Sequence, residues 1–164
     1  MWRLLTRRGG SAVAEGGEAP PFDLPDQHGR QRRLSDYRGR WVVLYFYPRD
    51  DTPGCTMEAC QFRDGLDQLH SMGADVLGIS VDSPESHAQF AGKFSLPFPL
   101  LSDADGGVAR SYGSLLSLGP LQVAKRHTFI IDDYGKVAKI YRKVKPRGHG
   151  KEVLADIRML QQSV

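Results

Sequence analysis

Apolar residues along this chain fall into two kinds of run. Trp41 to Tyr47 (WVVLYFY) is continuous and ends at a proline, the pattern of a strand buried on both faces, and Asp75 to Val81 (DVLGISV) is a second such run. Between them, apolar residues recur at Cys55, Ala59, Phe62, Leu66 and Leu69. That four-three-four-three spacing predicts one helix from about Pro53 to His70, stopped at Met72-Gly73. Ser83-Pro84-Glu85-Ser86 supplies a capping serine, a proline at the first helical position and acidic charge in the first turn, so a helix is predicted from there to about Phe94. Pro97 to Leu101 reads as a short strand and Gly107 to Tyr112 as a short helix. From Gly113 to Val123, Gly and Ser interrupt a Leu-rich segment without a clear period, which predicts a loop. Arg126 to Asp132 and Lys136 to Val144 flank the turn Asp133-Tyr134-Gly135 as a hairpin. Gly148 to Gln162 closes the chain as a helix with Val153, Leu154, Ile157 and Leu160 facing inward.

Upstream, Phe22 to Pro25 and Arg30 to Leu34 read as two short strands around a turn, with Pro25 marking an edge. Residues 1–21 are rich in Gly, Ala and Glu and show no period, so they are expected to form a flexible tail before one domain over 22–164. A β-α-β unit followed by β-β-α predicts an α/β, thioredoxin-like fold: a central mixed β-sheet flanked by helices, with an N-terminal β-hairpin extension.

A chain of 164 residues, 40% hydrophobic, is large enough for one ordinary core. Its net charge of +3 falls well short of a dedicated nucleic-acid binder, and no apolar run reaches the length of a membrane span. Seven Lys or Arg and no Asp or Glu between Lys136 and Lys151 read as a solvated basic face rather than a nucleic-acid site. The start, with Arg3, Arg7 and Arg8, lacks an export h-region; a fragment of an organelle transit peptide is the alternative to a plain tail. Two cysteines are too few for a disulfide scaffold and fit a reducing, cytoplasmic setting, where such a pair serves redox chemistry more often than structure.

Both cysteines lie in Pro48-Arg49-Asp50-Asp51-Thr52-Pro53-Gly54-Cys55-Thr56-Met57-Glu58-Ala59-Cys60. With Thr52 as cap and Pro53 at the first helical position, Cys55 falls in the first turn, where free N–H groups and the helix dipole favour a thiolate. Pro53 and Gly54 leave little bulk near the sulfur, and Arg126 opens a strand that can lie beside the first one, a candidate cation for the thiolate. The same positions also fit a small apolar core cysteine at 55 and an incidental free thiol at 60. On a helix, residues five apart have Cα atoms about 8.6 Å apart, whereas a disulfide needs them within about 7 Å. Joining Cys55 to Cys60 therefore requires local unwinding. Cys55 lies on the apolar stripe, and Cys60 shares the wet face with Arg63, Asp64 and Asp67. The expected cycle is attack by Cys55, unwinding, then capture by Cys60.

Tyr45 to Cys60 resembles the Pro-x-x-x-Thr-x-x-Cys active-site motif of peroxiredoxins, in the form of the peroxiredoxin Q or bacterioferritin-comigratory-protein subfamily. The similarity runs from about Phe22 onward and includes Val76-Leu77-Gly78-Ile79-Ser80, Leu100-Leu101-Ser102-Asp103 and Arg126 ahead of Phe129-Ile130-Ile131-Asp132. The resemblance implies that Cys55 is the peroxidatic cysteine, Thr52 the hydroxyl that meets the peroxide, Pro48 the shield of the pocket and Arg126 the guanidinium that fixes peroxide and thiolate. It implies Cys60 as resolving cysteine and Glu58 as the carboxylate orienting the arginine, or simply a solvated helix carboxylate. If Thr52 faces peroxide, Asp51 is the alternative cap. The implied reaction is reduction of hydrogen peroxide and organic hydroperoxides, recycled by thioredoxin, without metal or cofactor, in a protein expected to be monomeric.

A thioredoxin-type reductase wants Cys-x-x-Cys, which is absent. His28, His70, His87 and His127 read as surface or packing residues, and His149 receives no role. A thiol redox sensor without sustained turnover is the remaining alternative.

Overall fold

The computed structural model describes residues 13–163. Five strands build the central sheet: β3 (Trp41–Phe46), β4 (Ala74–Ser80), β5 (Leu100–Ser102), β8 (Thr128–Ile131) and β9 (Val137–Tyr141), in the order β5-β4-β3-β8-β9. The pairs β3–β4 and β4–β5 are parallel, whereas β3–β8 and β8–β9 are antiparallel, so the sheet is mixed. Alternation along β3 divides the core. Val43 and Tyr45, continued by Tyr47, face one layer, and Val42, Leu44 and Phe46 face the other.

The first layer takes its side chains from α1 (Pro53–Asp64), α2 (Leu66–Ser71), α3 (Pro84–Phe94) and α5 (His149–Gln162). On the second face lie α4 (Gly107–Ser111), Phe22 and Ala19. The N-terminal hairpin extension is present as β1 (Asp23–Pro25) paired with β2 (Gln31–Arg33). Ser83 caps α3 as expected, its side chain accepting from the Ser86 N–H.

Three expectations need correction. The single helix over 53–70 is two, because the chain breaks at Gly65, whose N–H turns back to the Gln61 and Arg63 carbonyls. Apolar periodicity passes through the break unaltered, since Phe62, Leu66 and Leu69 all stay buried. The segment 113–123 is not a plain loop: β6 (Leu115–Leu118) and β7 (Leu121–Ala124) pair around Gly119-Pro120. Its period is hidden because Leu116, Leu118 and Leu121 are exposed, so no apolar-in, polar-out alternation exists to read. Of the expected tail, residues 1–12 lie outside the described residues, but the part after them is tied down. Gly16 and Ala19 donate to the Val137 and Gly135 carbonyls, and Ala19 is buried.

Candidate active site

β3 delivers the chain to the site, and Tyr47 and Pro48 turn it into the loop that precedes α1. Register places the other half: Tyr45 pairs with Thr128, and the Phe46 N–H donates to the His127 carbonyl. Two residues before Thr128, Arg126 is level with Tyr47, where that loop begins. The expectation that Arg126 would lie beside the cysteine strand therefore follows from antiparallel pairing of β3 with β8.

Cys55 is the third residue of α1 and only 1% exposed. The Arg126 guanidinium lies against the neighbouring residue Gly54, near enough for the charge of the Cys55 sulfur to be felt there. Burial works against the charge on Arg126, but Cys55 and Glu58 more than offset it and hold the guanidinium above its ordinary value. Glu58, one helical turn beyond Cys55, is completely buried and accepts from Arg126 Nη1 at 3.0 Å. Its other oxygen, Oε2, has no hydrogen-bond partner. Desolvation pushes the Glu58 carboxyl up to about 7, although Arg126 pulls the other way. The solvated-carboxylate reading of Glu58 is thereby corrected: it faces the interior because it follows Cys55 by three positions on the apolar stripe.

Thr52 occupies the N-cap position, and its carbonyl accepts the Thr56 N–H at 2.8 Å, but its hydroxyl does not cap the helix. That hydroxyl donates instead to the Arg49 carbonyl at 3.0 Å. Asp51 is no substitute cap; it sits at φ +60° and pairs with Lys93 of α3. Pro48 is half-buried ahead of them. Gly54 is closely packed, since a Cβ there would lie 3.1 Å from Arg126 Nη2 and 3.4 Å from Pro146 Cγ.

Both cysteines are free and lie in one unbroken helix. Cys60 is half-buried rather than on a fully wet face, close enough for its charge to be felt at Tyr45 and Arg63. The Tyr45 hydroxyl is buried without a hydrogen-bond partner, and desolvation followed by the charges of Glu58 and Cys55 raises its ionisation well beyond the ordinary range.

A second layer of support was not legible as such in the sequence. Asp50 accepts from the Tyr47 hydroxyl at 2.7 Å and from the Ser86 hydroxyl at 2.8 Å, and its Oδ2 lies 2.7 Å from His87 Nδ1. His87 Nε2 must donate to the Leu101 carbonyl, 3.0 Å away, because a carbonyl only accepts. The Asp50 N–H donates to Asp82, which also accepts from the Ser80 hydroxyl. The Pro48–Thr52 loop is thus bolted to α3 and to the end of β4. His87 is fully buried, and its spacing with Phe90 and Ala91 was the available signal.

His127 is a packing residue, as expected, meeting Ser114, Arg142 and Phe129. Arg142 Nη1 donates to Nδ1, and burial, Arg142 and Lys125 lower this imidazole to about 4. His149 is buried between Thr128 and Glu152, its protonated form disfavoured by burial.

Comparison with known proteins agrees with this geometry. The AhpC/TSA family model matches residues 16–140. A putative peroxiredoxin bcp of Coxiella burnetii is 45% identical over 147 residues, 87% of this chain and 97% of that protein. The crystal structure of peroxidoxin BcpB from Mycobacterium tuberculosis superposes with TM-score 0.84 at 39% identity, covering 90% of this chain and 97% of the other. A Xanthomonas campestris bacterioferritin comigratory protein, whose structures were described as insights into its alkyl peroxide reduction activity, superposes with TM-score 0.80 at 36% identity over 84% of this chain and 90% of its own. A thioredoxin-like sheet carrying a buried cysteine beside an arginine, together with these matches, places the chain in the AhpC/TSA family, among the peroxiredoxins of the Q/Bcp type.

Proposed function

We infer that this thiol-dependent peroxidase works through Cys55 as the attacking sulfur and Cys60 as the resolving one. The observation that carries the assignment is the buried Cys55 sulfur in the first turn of α1, beside an arginine that is itself ion-paired to buried Glu58. In the first step the Cys55 thiolate attacks one oxygen of the hydroperoxide. An S–O bond forms, the O–O bond breaks, and the departing oxygen leaves with the bonding pair and takes up a proton as water or alcohol. Arg126 and the free N–H groups of the first helical turn face the charge developing on that oxygen. We assign Thr52 the hydroxyl at the same rim, where, with its proton given to the Arg49 carbonyl, it accepts from the hydroperoxide; Pro48 is assigned to shield the pocket, and Gly54 leaves room for the guanidinium.

In the second step α1 unwinds locally, the Cys60 sulfur attacks the Cys55 sulfenic acid, water leaves and an intramolecular disulfide forms. A dithiol protein, which we assign as thioredoxin, then exchanges with that disulfide and restores both thiols. Each step uses only this chain, the hydroperoxide and the reductant, consistent with a monomer in a reducing compartment such as the cytoplasm.

Two variants test the assignment. Cys55→Ser is expected to abolish peroxide consumption with a thioredoxin system, by at least about a thousandfold. Cys60→Ser is expected to retain the first oxidation but to stop after one equivalent. Undiminished turnover in either variant would overturn the corresponding role, and a wild-type protein that itself stopped after one equivalent would be a sensor.

A further inference from the structure

The first backbone donors of α5 have no partner within the helix, and its own N-cap, Gly148, has no side chain with which to meet them. The cap comes from another helix. Gln61 Oε1, on α1, accepts the Gly150 N–H at 2.7 Å, across 89 positions of sequence. The two helices touch closely at this point, because a Cβ on Gly150 would lie 2.8 Å from Gln61 Cβ and 3.3 Å from its carbonyl carbon. Gln61 directly follows Cys60. Unwinding α1 far enough to carry Cys60 to Cys55 removes the helical geometry that aims Gln61 at α5, and so uncaps α5.

We propose that Gln61 is a positioning residue for the resolving step: its hydrogen bond to Gly150 latches the far end of the unwinding segment to α5 and sets how often Cys60 reaches the Cys55 sulfenic acid. The inference rests on the assignment of Cys55 and Cys60 above. A groove of about 440 Å³, lined by Gln61, Gly65, Gln68, Arg147, Gly150 and Leu154, lies beside the latch and gives the released side chain space to swing into. With the latch in place, the sulfenic acid lasts longer. A second hydroperoxide then competes with Cys60, adding an oxygen to the sulfur and yielding sulfinic acid plus water or alcohol.

The latch acts only on the second step, which makes it separable from a general effect on stability. Fully reduced protein is mixed with one equivalent of hydrogen peroxide, quenched with acid at intervals and analysed by intact mass. Loss of reduced protein reports the first step, and loss of two hydrogens reports the disulfide. In Gln61→Ala the first step is expected to stay within about twofold of wild type, and disulfide formation to accelerate about fivefold, the size of a lost helix cap. At a large excess of peroxide the sulfinic fraction should fall by a similar factor. Gln61→Glu keeps an acceptor at the α5 N-terminus and adds favourable charge, so it should form the disulfide no faster than wild type. Should Gln61→Ala fail to fold, Gln61→Asn, one methylene shorter, takes its place with the same expectation. An unchanged disulfide rate in the Ala or Asn variant overturns the latch. No oxidation of Cys55 in wild type would instead overturn the assignment on which the latch rests.

Discussion

A carboxyl group cut off from water must be paired or protonated, and Glu58 is held between the two states. One oxygen meets Arg126 and the other meets nothing. Burial raises its ionisation from an ordinary 4.5 to about 7, so the folded protein binds this proton more tightly than the unfolded chain. The stability linked to Glu58 is therefore fully present below about 4.5 and is lost as pH rises through 7. Wild type should lose on the order of 3 kcal/mol relative to Glu58→Gln between those limits, read from urea unfolding of both proteins at pH 5 and pH 8. His127 works in the opposite direction. Lowered to about 4 by burial, Arg142 and Lys125, it contributes stability that is present above the ordinary 6.5 and lost as pH falls through 4. Because both proteins carry His127, it cancels in the difference, and a difference that does not change with pH would refute the account of Glu58. The placement of Arg126 near Cys55 was legible from a strand expected beside the first one, whereas the site roles of Thr52 and Glu58 came only through the resemblance. Asp50 and His87 were not legible, because their pairing depends on α3 being brought to the loop by the sheet order, which no local pattern encodes.

At the scale of the element, α1 carries the chemistry and shows how far periodicity can be trusted. Its apolar stripe was readable from Cys55 to Leu69, yet the stripe is blind to the break at Gly65, where buried residues stay in phase across two helices. The break separates α1, which carries both cysteines, from α2, which packs against β4. The N-terminal end of α1 meets a tighter constraint at Gly54, whose missing side chain is occupied by Arg126 and Pro146. Gly54→Ala must displace one of them by a few tenths of an ångström. We expect Cys55 oxidation to slow about tenfold while thermal unfolding stays close to wild type, as stopped-flow peroxide titration would record. An unaltered rate would mean that Arg126 need not sit where it does. The hairpin of β6 and β7 was hidden for a different reason: with leucines on its exposed face, sequence offers no contrast between inside and outside.

Across the whole molecule, the sheet places Arg126 and the cysteine loop at the ends of neighbouring strands, and everything else closes around that junction. The order of elements was enough to predict a mixed sheet, since a helical crossover makes β3 and β4 parallel and a hairpin makes β8 and β9 antiparallel, but the seating of β8 beside β3 is a long-range pairing that no local pattern encodes. Less legible was the segment after residue 12, which looks featureless alone but completes the second core layer through Ala19 and Phe22. The basic run from Lys136 to Lys151 is also partly internal. Lys136 pairs with Glu18, Lys139 with Asp156, and Arg142 stacks over Phe129, so its charge is shared with elements distant in sequence.

For the proposed cycle α1 must be stable enough to shelter Cys55 and labile enough to let Cys60 reach it. Intact mass, combined with thiol alkylation after one equivalent of hydroperoxide, tests this most directly. Two hydrogens should be lost and no alkylatable thiol should remain. Gain of one or two oxygens with Cys60 still alkylatable would contradict the cycle.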